Sequence, residues 1–216
     1  MKSLRLVFFA LWCLSGLLRA QESNPAAAGF NKSASDPEAI AIADQVMQAM
    51  GGRTAWNNTR YIYWNFFGSR QLLWDKFTGN VRIDIPKENT VLQIHLHSNT
   101  GKAMVRGQVM TEPDSIAYYL DRAKSIWIND SYWLVMPFKM KDSGVTLKYL
   151  GKGNTEEGAK ADIVQLTFEE VGRTPDNKYH VYVEETSRLV TQWKFLKTIR
   201  TPHLVSPPLE RLCSVW

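Results

Sequence analysis

Cysteine is nearly absent from this chain. Cys13 and Cys213 are its two cysteines in 216 residues. Cys13 lies in the apolar run Leu6–Leu18, which follows a basic start and precedes the small residue Ala20. This arrangement is typical of a secretory signal peptide, and we predict one over residues 1–20. Its removal leaves Cys213 without a partner in the same chain, which excludes an internal disulfide.

Long apolar runs are also missing. The run at 6–18 is too short for a comfortable membrane crossing, and no later segment approaches the roughly 20 apolar residues that a transmembrane helix needs. A lipid anchor on Cys13 is disfavoured, because lipidated cysteines follow a small residue at the end of the signal, whereas Cys13 follows Trp12 inside the run. We expect an exported protein in the periplasm of a Gram-negative bacterium, with association with the outer membrane left open.

An excess of charge of one sign is absent once the signal peptide is removed. The whole chain has 26 Lys and Arg residues against 21 Asp and Glu residues, and Lys2, Arg5 and Arg19 fall within the signal. The remaining 23 basic residues nearly balance the acidic ones, so the pI near 9.2 gives little support to a nucleic-acid partner, and we expect none. The remaining 196 residues suit one domain, preceded by a flexible leader that we predict at 21–34.

Motifs of catalysis and nucleotide binding are absent too. The chain has no G-x-S-x-G, Ser/Lys box, H-E-x-x-H, GxGxxG or P-loop. Two paired acids, Glu169–Glu170 and Glu184–Glu185, would each straddle both faces of a strand. His95 and His97 share a strand face, as ligands of zinc or copper can, but no third ligand follows at a telling distance, and we interpret them as solvent-facing. We therefore predict no catalytic residue, no metal and no cofactor.

What the chain has in abundance is aromatic side chains in segments of alternating hydrophobicity. Trp, Tyr and Phe make up 12% of the residues. From Thr59 onward apolar residues recur at every second position, as Ile62, Trp64 and Phe66 do, and turn residues separate the runs. This period predicts about nine strands in an antiparallel meander with one apolar face.

Two helices are predicted beside these strands. Ser35 and Glu38 have capping-box spacing and begin a helix that Gly51–Gly52 ends. Its apolar stripe is predicted to consist of Ile40, Ala43, Met47 and Met50. A second helix is predicted over 113–126. The segment Tyr132–Phe138 that follows is apolar at both parities, and we predict a strand that is covered on both faces and whose pairing ends at its proline.

The predicted fold class is α+β, mainly β. A wide one-sided sheet curls as strands accumulate, so we expect a strongly curved antiparallel sheet with the helices covering its concave face. That arrangement tends to leave an apolar cavity between the sheet and the helices. The candidate cavity residues are the aromatic and methionine side chains predicted on or near the inner face, namely Trp64, Phe66, Trp74, Met104, Trp133, Met136, Phe168, Trp193 and Phe195.

Three segments of the chain resemble a protein family. Trp56–Ile83, Ile128–Gly151 and His180–Phe195 resemble an uncharacterised group of exported bacterial proteins, which is similar in turn to the LolA-like outer-membrane lipoprotein-sorting proteins. The closing hairpin, with its V-Y-V-E strand, its acidic-Thr turn and its L-V-x-Q-W strand, is the most family-like piece. The similarity extends over about residues 36–196, and we place a LolA-like half-barrel domain at 35–196.

The resemblance implies a half-barrel of about eleven antiparallel strands covered by helices. In the carrier proteins its concave face is an apolar cavity that shelters the acyl chains of a lipoprotein in the periplasm. The carriers also use an arginine on an early strand to hold the lid helices closed. Arg60, Arg70 and Arg82 lie on early predicted strands here, but none of them can be matched to that position from the sequence.

The tail departs from the family pattern. After Phe195 the chain reads LKTIRTPHLVSPPLERLCSVW, where further strand-forming sequence is expected. Its three prolines, Pro202, Pro207 and Pro208, argue against a paired central strand. We hypothesise that residues 197–216 are truncated or read in a shifted frame. The hypothesis fails if no alternative reading frame of the nucleotide sequence encodes a strand-like segment there.

These observations favour a carrier or binding module that holds a lipid or the acyl chains of a lipoprotein in an apolar cavity. Transient contact with a membrane or an envelope protein is compatible with that role. The alternative is a structural or envelope-interaction domain whose inner face is filled by its own side chains. A hydrolase on the same scaffold is the third alternative, and it would require a site that the sequence does not reveal.

Overall fold

The computed structural model describes residues 24–169 and 178–196, together with the backbone of 210–214. The described residues form three α-helices, namely α1 (Pro37–Ala49), α2 (Gly52–Asn58) and α3 (Pro113–Val135). They also form eleven strands, which are β1 (Tyr61–Phe66), β2 (Arg70–Asp75), β3 (Asn80–Ile85), β4 (Thr90–His95), β5 (Thr100–Val105), β6 (Gln108–Val109), β7 (Val145–Asn154), β8 (Lys160–Phe168), β9 (Lys178–Glu184), β10 (Val190–Leu196) and β11 (Glu210–Ser214). The predicted class, α+β and mainly β, is confirmed. The predicted signal peptide at 1–20 lies outside the described residues.

The described strands form two antiparallel sheets. The first sheet contains β1 to β6 in chain order, and the second contains β7 to β11 in the order β11-β10-β9-β8-β7. Helix α3 separates the two sheets along the chain. The described strands thus form a meander that is interrupted once, between β6 and β7, and all other consecutive strands pair with each other.

Alternation in the first sheet follows the predicted period of two. Val81, Ile83 and Ile85 of β3 are buried, and their polar neighbours point to the other face. One close approach in this sheet requires glycine. Gly101 of β5 lies opposite Ile94, and a Cβ at this glycine would lie 1.9 Å from the carbonyl oxygen of Gln93.

Helix α1 begins and ends where the sequence predicts, but its cap and its buried face differ. Asp36 is the residue at the N-cap, and the Ser35 hydroxyl is used elsewhere. It donates to the carbonyl of Asn31 (2.8 Å) and accepts from the backbone N–H of Leu147 on β7 (3.0 Å), so the predicted capping box is wrong. Contact with the second sheet selects a different helix face from the predicted stripe. That buried face consists of Ala39, Ile42, Ala43, Val46 and Met47, whereas Ile40 and Met50 are only partly buried.

Helix α3 is longer than predicted. It continues to Val135, into the segment Tyr132–Phe138 for which we predicted a strand, and a short 3-10 turn at Met136–Lys139 follows it. The strand prediction is wrong because the apolar residues belong to a helix that packs between two cores and therefore has apolar side chains at both parities. Tyr132 and Trp133 pack against one core, and Leu134 packs against the other. Alternation cannot distinguish this case from a strand covered on both faces.

The apolar interior is divided into two cores. The first core lies between the first sheet and α3, and it contains Leu72, Ile83, Leu92 and the α3 residues Leu120 and Ala123. The second core lies between α1 and the second sheet, and it contains Leu147, Leu166, Val181 and Trp193 besides the α1 face. Helix α3 contributes side chains to both cores, so it is the element that joins the two halves of the fold.

Backbone hydrogen bonds correct the predicted flexible leader, whereas the hypothesis of a truncated or frame-shifted tail stays untested. In the predicted flexible leader, Ala27 N–H donates to the carbonyl of Lys141 (2.9 Å) and Asn31 N–H to that of Val145 (3.1 Å), so residues 24–34 are attached to the start of β7 rather than free. In the predicted atypical tail, residues 210–214 pair with β10 as an edge strand. The three prolines of the tail lie outside the described residues.

Among the described residues, no helix combines the length and the hydrophobicity that a membrane crossing needs.

Candidate ligand cavity

A cavity of about 470 Å³ lies where α3 meets the second sheet. Its walls come from the C-terminal half of α3, from the loop that precedes β7, and from the neighbouring ends of β7, β8 and β9. The lining residues are Ser125, Trp127, Ile128, Asn129, Ser131, Tyr132, Trp133, Lys139, Asp142, Ser143, Val145, Phe168 and Tyr179. Most of this surface is apolar, and the volume is in the range of small-molecule sites.

The cavity wall contains a group of aromatic rings in mutual contact. The rings of Tyr132, Phe168 and Tyr179 form a triangle with centroid separations of 5.5 to 5.7 Å. Two further rings lie on the side of Tyr179 that faces the second core. Their centroids are 5.1 Å (Trp193) and 5.3 Å (Phe195) from the centroid of the Tyr179 ring. Edge and tilted contacts at these distances stabilise ring pairs beyond their buried area. The wall is therefore a packed aromatic layer rather than a set of separate side chains.

Local sequence explains why α3 supplies one side of the cavity. Ser125, Ile128, Asn129 and Tyr132 recur at three- and four-residue spacing, so they lie on one face of the helix. This signal is present in the sequence, and reading the last part of α3 as a strand concealed it. Tyr132 was accordingly missing from the predicted cavity residues. Trp127, which precedes that segment, and Tyr179 on β9 were missing from them as well.

Two residues that line the cavity each carry a buried polar atom without a hydrogen-bond partner. The hydroxyl of Tyr132 and the indole Nε1 of Trp127 are buried and make no hydrogen bond within the described part of the chain. Burial raises the pKa of Tyr132 well above its usual range, and Tyr179 and Asp142 add to the effect. Burial also raises the pKa of Tyr179 to about 12. Both phenols therefore remain protonated at physiological pH.

A salt bridge lies among the lining residues at the loop before β7. The Nζ of Lys139 is 3.0 Å from the Oδ2 of Asp142. Both side chains are about one-third exposed, so the pair adjoins solvent. Since the two charges cancel, this part of the lining has no net charge.

The nine predicted cavity residues fall into three groups. Trp133 and Phe168 line the cavity, and Trp193 and Phe195 form the layer behind it. The others do not adjoin it: Trp64, Phe66 and Trp74 pack in or against the first core, Met136 is buried in the second core, and Met104 is half-buried on β5. We predicted one continuous inner face shared by all nine residues, whereas the structure distributes most of them between two separate cores.

One ion pair fixes α3 to the first sheet next to this cavity. Arg70, at the start of β2, donates from Nε and Nη2 to the two carboxylate oxygens of Asp130 on α3, at 2.7 and 2.9 Å. The Asp130 side chain is fully buried, and the Arg70 side chain is 26% exposed. The Arg70 guanidinium also lies 4.9 Å from the centroid of the Phe66 ring. The other two early arginines, Arg60 and Arg82, pair with acids of the first sheet itself.

Comparisons with protein-family models, with curated proteins and with solved structures found no match. The resemblance to the LolA-like carriers therefore stays a prediction from the sequence.

The histidine pair of the first sheet lies away from this cavity. The rings of His95 and His97 are 5.6 Å apart, and Nδ1 of His95 accepts a hydrogen bond from the backbone N–H of Ser98 (3.2 Å). Within 24–169 and 178–196, no three His, Cys, Asp or Glu side chains are grouped as ligands of a metal ion. A depression of about 540 Å³ on the first sheet extends past His95, and its lining includes charged residues such as Arg82 and Lys102.

Proposed function

We propose that this protein is a non-enzymatic binding module or carrier that holds a lipid, or the acyl chain of a lipoprotein, in the cavity beneath α3. The observation that carries the proposal is the aromatic cavity itself, which is bounded by a helix on one side and a sheet on the other. Its lining offers apolar surface with a few polar groups at defined positions, as ligand sites do. Export to the periplasm belongs to the same proposal.

Apolar burial alone supplies enough free energy for such a role. Each methylene removed from water contributes about 0.8 kcal/mol. Ten methylenes against the aromatic wall would therefore contribute about 8 kcal/mol, which corresponds to a dissociation constant of order micromolar before the cost of ordering the chain is subtracted. The affinity that remains after this cost is weaker than micromolar, so a bound ligand can still leave.

Helix α3 is the element that would move to admit a ligand. It forms one side of the cavity and spans both cores, and the Arg70–Asp130 pair holds it to β2. In this proposal the two sheets are the two halves of the curved half-barrel that the resemblance implies. Arg70 then takes the part of the early-strand arginine that keeps a lid helix closed in the carriers.

A structural domain with a filled core is the second candidate. One observation favours it: four of the nine residues that we predicted to line a cavity are buried in the cores. Trp64, Trp74, Met136 and Trp193 are each at most 9% exposed. If the remaining cavity is also unable to admit a ligand, the fold would serve envelope interactions through its surface alone.

Native mass spectrometry of residues 21–216, expressed with export, tests the proposal. We expect an adduct of lipid mass that is lost after extraction into organic solvent. Phe168→Trp, which narrows the cavity, should reduce the adduct. Phe77→Trp is the matched control, because Phe77 is exposed and remote from the cavity lining. A folded protein with a clean apo mass, and with no binding of added phospholipid or acyl peptide, would instead support the filled-core domain.

A further inference from the structure

We infer that β1 is a self-association edge, along which two copies of this chain pair β1 against β1 in antiparallel orientation around a two-fold axis at Tyr63. The inference does not depend on the cavity or on the proposed function. Three observations support it, namely a free strand edge, an apolar patch beside that edge, and a register in which the strand complements itself.

The outer edge of β1 has backbone groups that the rest of the described chain does not use. The backbone N–H of Lys76 donates to the carbonyl of Arg60 at 2.8 Å, so the even-numbered residues of β1 are the ones that bond to β2. The N–H and C=O groups of Tyr61, Tyr63 and Asn65 therefore point away from β2. None of these groups bonds to a described residue, and β1 is the end strand of its sheet. Such an edge is a template for pairing with another chain.

The other sheet edges among the described residues are short, charged or covered. β6 has two residues, and β11 contains Glu210 and Arg211. β7 is covered by the chain itself, because Asp36 donates from its N–H to the carbonyl of Leu147 (2.9 Å) and accepts at its carboxylate from the N–H of Tyr149 (3.0 Å). β1 has six residues in regular register, with no proline and no charge. It therefore lacks the features that keep edge strands from pairing.

Exposed apolar side chains are concentrated beside this edge. Four of the nine large hydrophobic side chains that the described residues expose belong to the β1–β2 hairpin, namely Tyr61, Tyr63, Phe67 and Leu73. Tyr63 and Leu73 are opposite each other, and they are 64% and 42% exposed. The same row continues across the sheet with the polar residues Arg82, Gln93 and Lys102. The apolar end of the row thus lies at the free edge, where a second sheet would join.

The register of β1 with a second copy follows from which backbone groups are unused. Two antiparallel copies exchange these groups when Tyr63 faces Tyr63 of the other copy and Tyr61 faces its Asn65. A shift by two residues in either direction would leave Tyr61 or Asn65 opposite a residue outside the strand. In the inferred register Tyr63 and Leu73 of the two copies form one continuous apolar row on the outer face. Cross-strand aromatic and aliphatic pairs of this kind stabilise sheets.

Charge does not oppose this pairing. The adjacent Arg60 is held by Asp75, at 3.0 Å. In the inferred register Arg60 of one copy lies opposite Phe66 of the other, so the two Arg60 residues are separated by six positions along the strands, or roughly 20 Å. This distance exceeds the Debye length of about 8 Å at physiological ionic strength, so their repulsion is screened.

The expected dimer is weak. Stable interfaces bury about 1,200–2,000 Å², and a six-residue edge with its neighbouring side chains is small by comparison. We therefore expect a dissociation constant on the order of tens of micromolar rather than an obligate dimer.

Sedimentation velocity of the full mature chain at about 2, 20 and 200 µM tests the inference, because this range brackets the expected dissociation constant. We expect a shift from monomer to dimer. Tyr63→Lys and Tyr63→Glu each set two like charges side by side at the axis, so each variant alone should dimerise at least about tenfold more weakly. An equimolar mixture of the two variants should dimerise again, since only the mixed pair has opposite charges there.

Tyr118→Lys is the matched control. Tyr118 lies on α3 and is 65% exposed, against 64% for Tyr63. This variant should dimerise as the unchanged chain does. Far-ultraviolet circular dichroism should show the same fold for all variants, because both tyrosines are exposed.

Hydrogen exchange of the β1 amides identifies what occupies the edge. In the dilute monomer Tyr61, Tyr63 and Asn65 should exchange rapidly, whereas Ile62 and Trp64, which donate to β2, should exchange slowly. At about 200 µM the first three should become protected as well, because the second copy accepts their hydrogen bonds. Protection that is already present in the monomer would mean that the chain's own residues cover the edge, and it would overturn the inference.

Three other outcomes would overturn it too. A chain that stays monomeric at every concentration, with rapidly exchanging edge amides, would leave a strand of another protein as the occupant. A dimer that Tyr63→Lys does not weaken would use another surface. A mixture of the two charged variants that fails to dimerise would refute the two-fold register. Lipid binding in the cavity is measured separately, so the proposed function stands or fails independently of these results.

Discussion

Replacing Arg70 by methionine should destabilise this protein more than the loss of any surface ion pair would. The substitution removes both guanidinium hydrogen bonds to Asp130, whose side chain has no exposed surface. One bond to that carboxylate then remains, from the Nδ2 of Asn129 at 2.9 Å. Removing one partner of a buried pair typically costs about 3–5 kcal/mol, because the other charge is left uncompensated.

The reciprocal substitution should cost less. In Asp130→Asn the remaining Arg70 is 26% exposed and can turn toward water, so we expect a loss of about 1.5–3 kcal/mol. The double variant Arg70→Met/Asp130→Asn buries no unpaired charge. It should therefore be about 1–2 kcal/mol more stable than Arg70→Met alone. This non-additivity is the signature of a direct pair.

Urea unfolding followed by tryptophan fluorescence measures all three free energies of unfolding. Arg82→Met on β3 is the matched control. Its pair with Asp84 has side chains that are 47% and 31% exposed, so its loss should cost no more than about 1 kcal/mol. Equal losses for Arg70→Met and Arg82→Met would refute this account, and so would strict additivity in the double variant.

Three further predictions concern stability. Leu147→Ala in the second core should lower the free energy of unfolding, measured in urea, by about 2–5 kcal/mol. Leu150→Ala, on the exposed face of the same strand, should change it by at most about 0.5 kcal/mol. Similar losses in the two variants would contradict the position of Leu147 in the core. Gly101→Ala should lower the free energy of unfolding by about 2 kcal/mol or more, because the alanine Cβ would lie 1.9 Å from the Gln93 carbonyl oxygen. An unchanged melting temperature would show that β4 and β5 do not approach each other this closely. Burial tends to raise the pKa of Asp162, but hydrogen bonds from Arg188, Tyr149 and Lys152 together outweigh it and lower the pKa. Asp162 should therefore contribute stability that is present above its unfolded-state pKa of about 4 and is lost as the pH falls through the lowered folded-state pKa. The Asp162→Asn variant should not show this loss of stability at low pH. If the stability of both proteins falls with pH in the same way during acid unfolding, the prediction is wrong.

Most of the fold follows from local pattern. The strands of the first sheet carry the expected alternation because one face is buried and the other meets solvent, as β2 and β3 show. Alternation is weaker in β9 of the second sheet, where Val181, Tyr182 and Val183 are all buried. The limits of α1 follow from Pro37 at its start and Gly51 after its end. The division into two sheets does not follow, because nothing in a strand's own sequence states which strand will be its neighbour.

The cavity was predictable only in part, and α3 shows why. Phe168, Trp193 and Phe195 were found from alternation in their strands. Tyr132 was assigned to a strand because a helix packed between two cores carries apolar residues at both parities. The partner of Arg70 is another such case, since Asp130 is 60 residues away in sequence and no local rule connects the two.

The position of α1 in the chain has a consequence for the order of folding. The first sheet is made of consecutive hairpins, so its contact order is low and its pairings form from nearby residues. Helix α1 depends on β7, and the bond between Ser35 and Leu147 closes a loop of 112 residues. At about 5–20 residues per second, a nascent chain needs roughly 6–22 s to synthesise that loop. During this interval the buried face of α1 has no sheet to cover it, so this helix can gain its packing only after β7 has been synthesised.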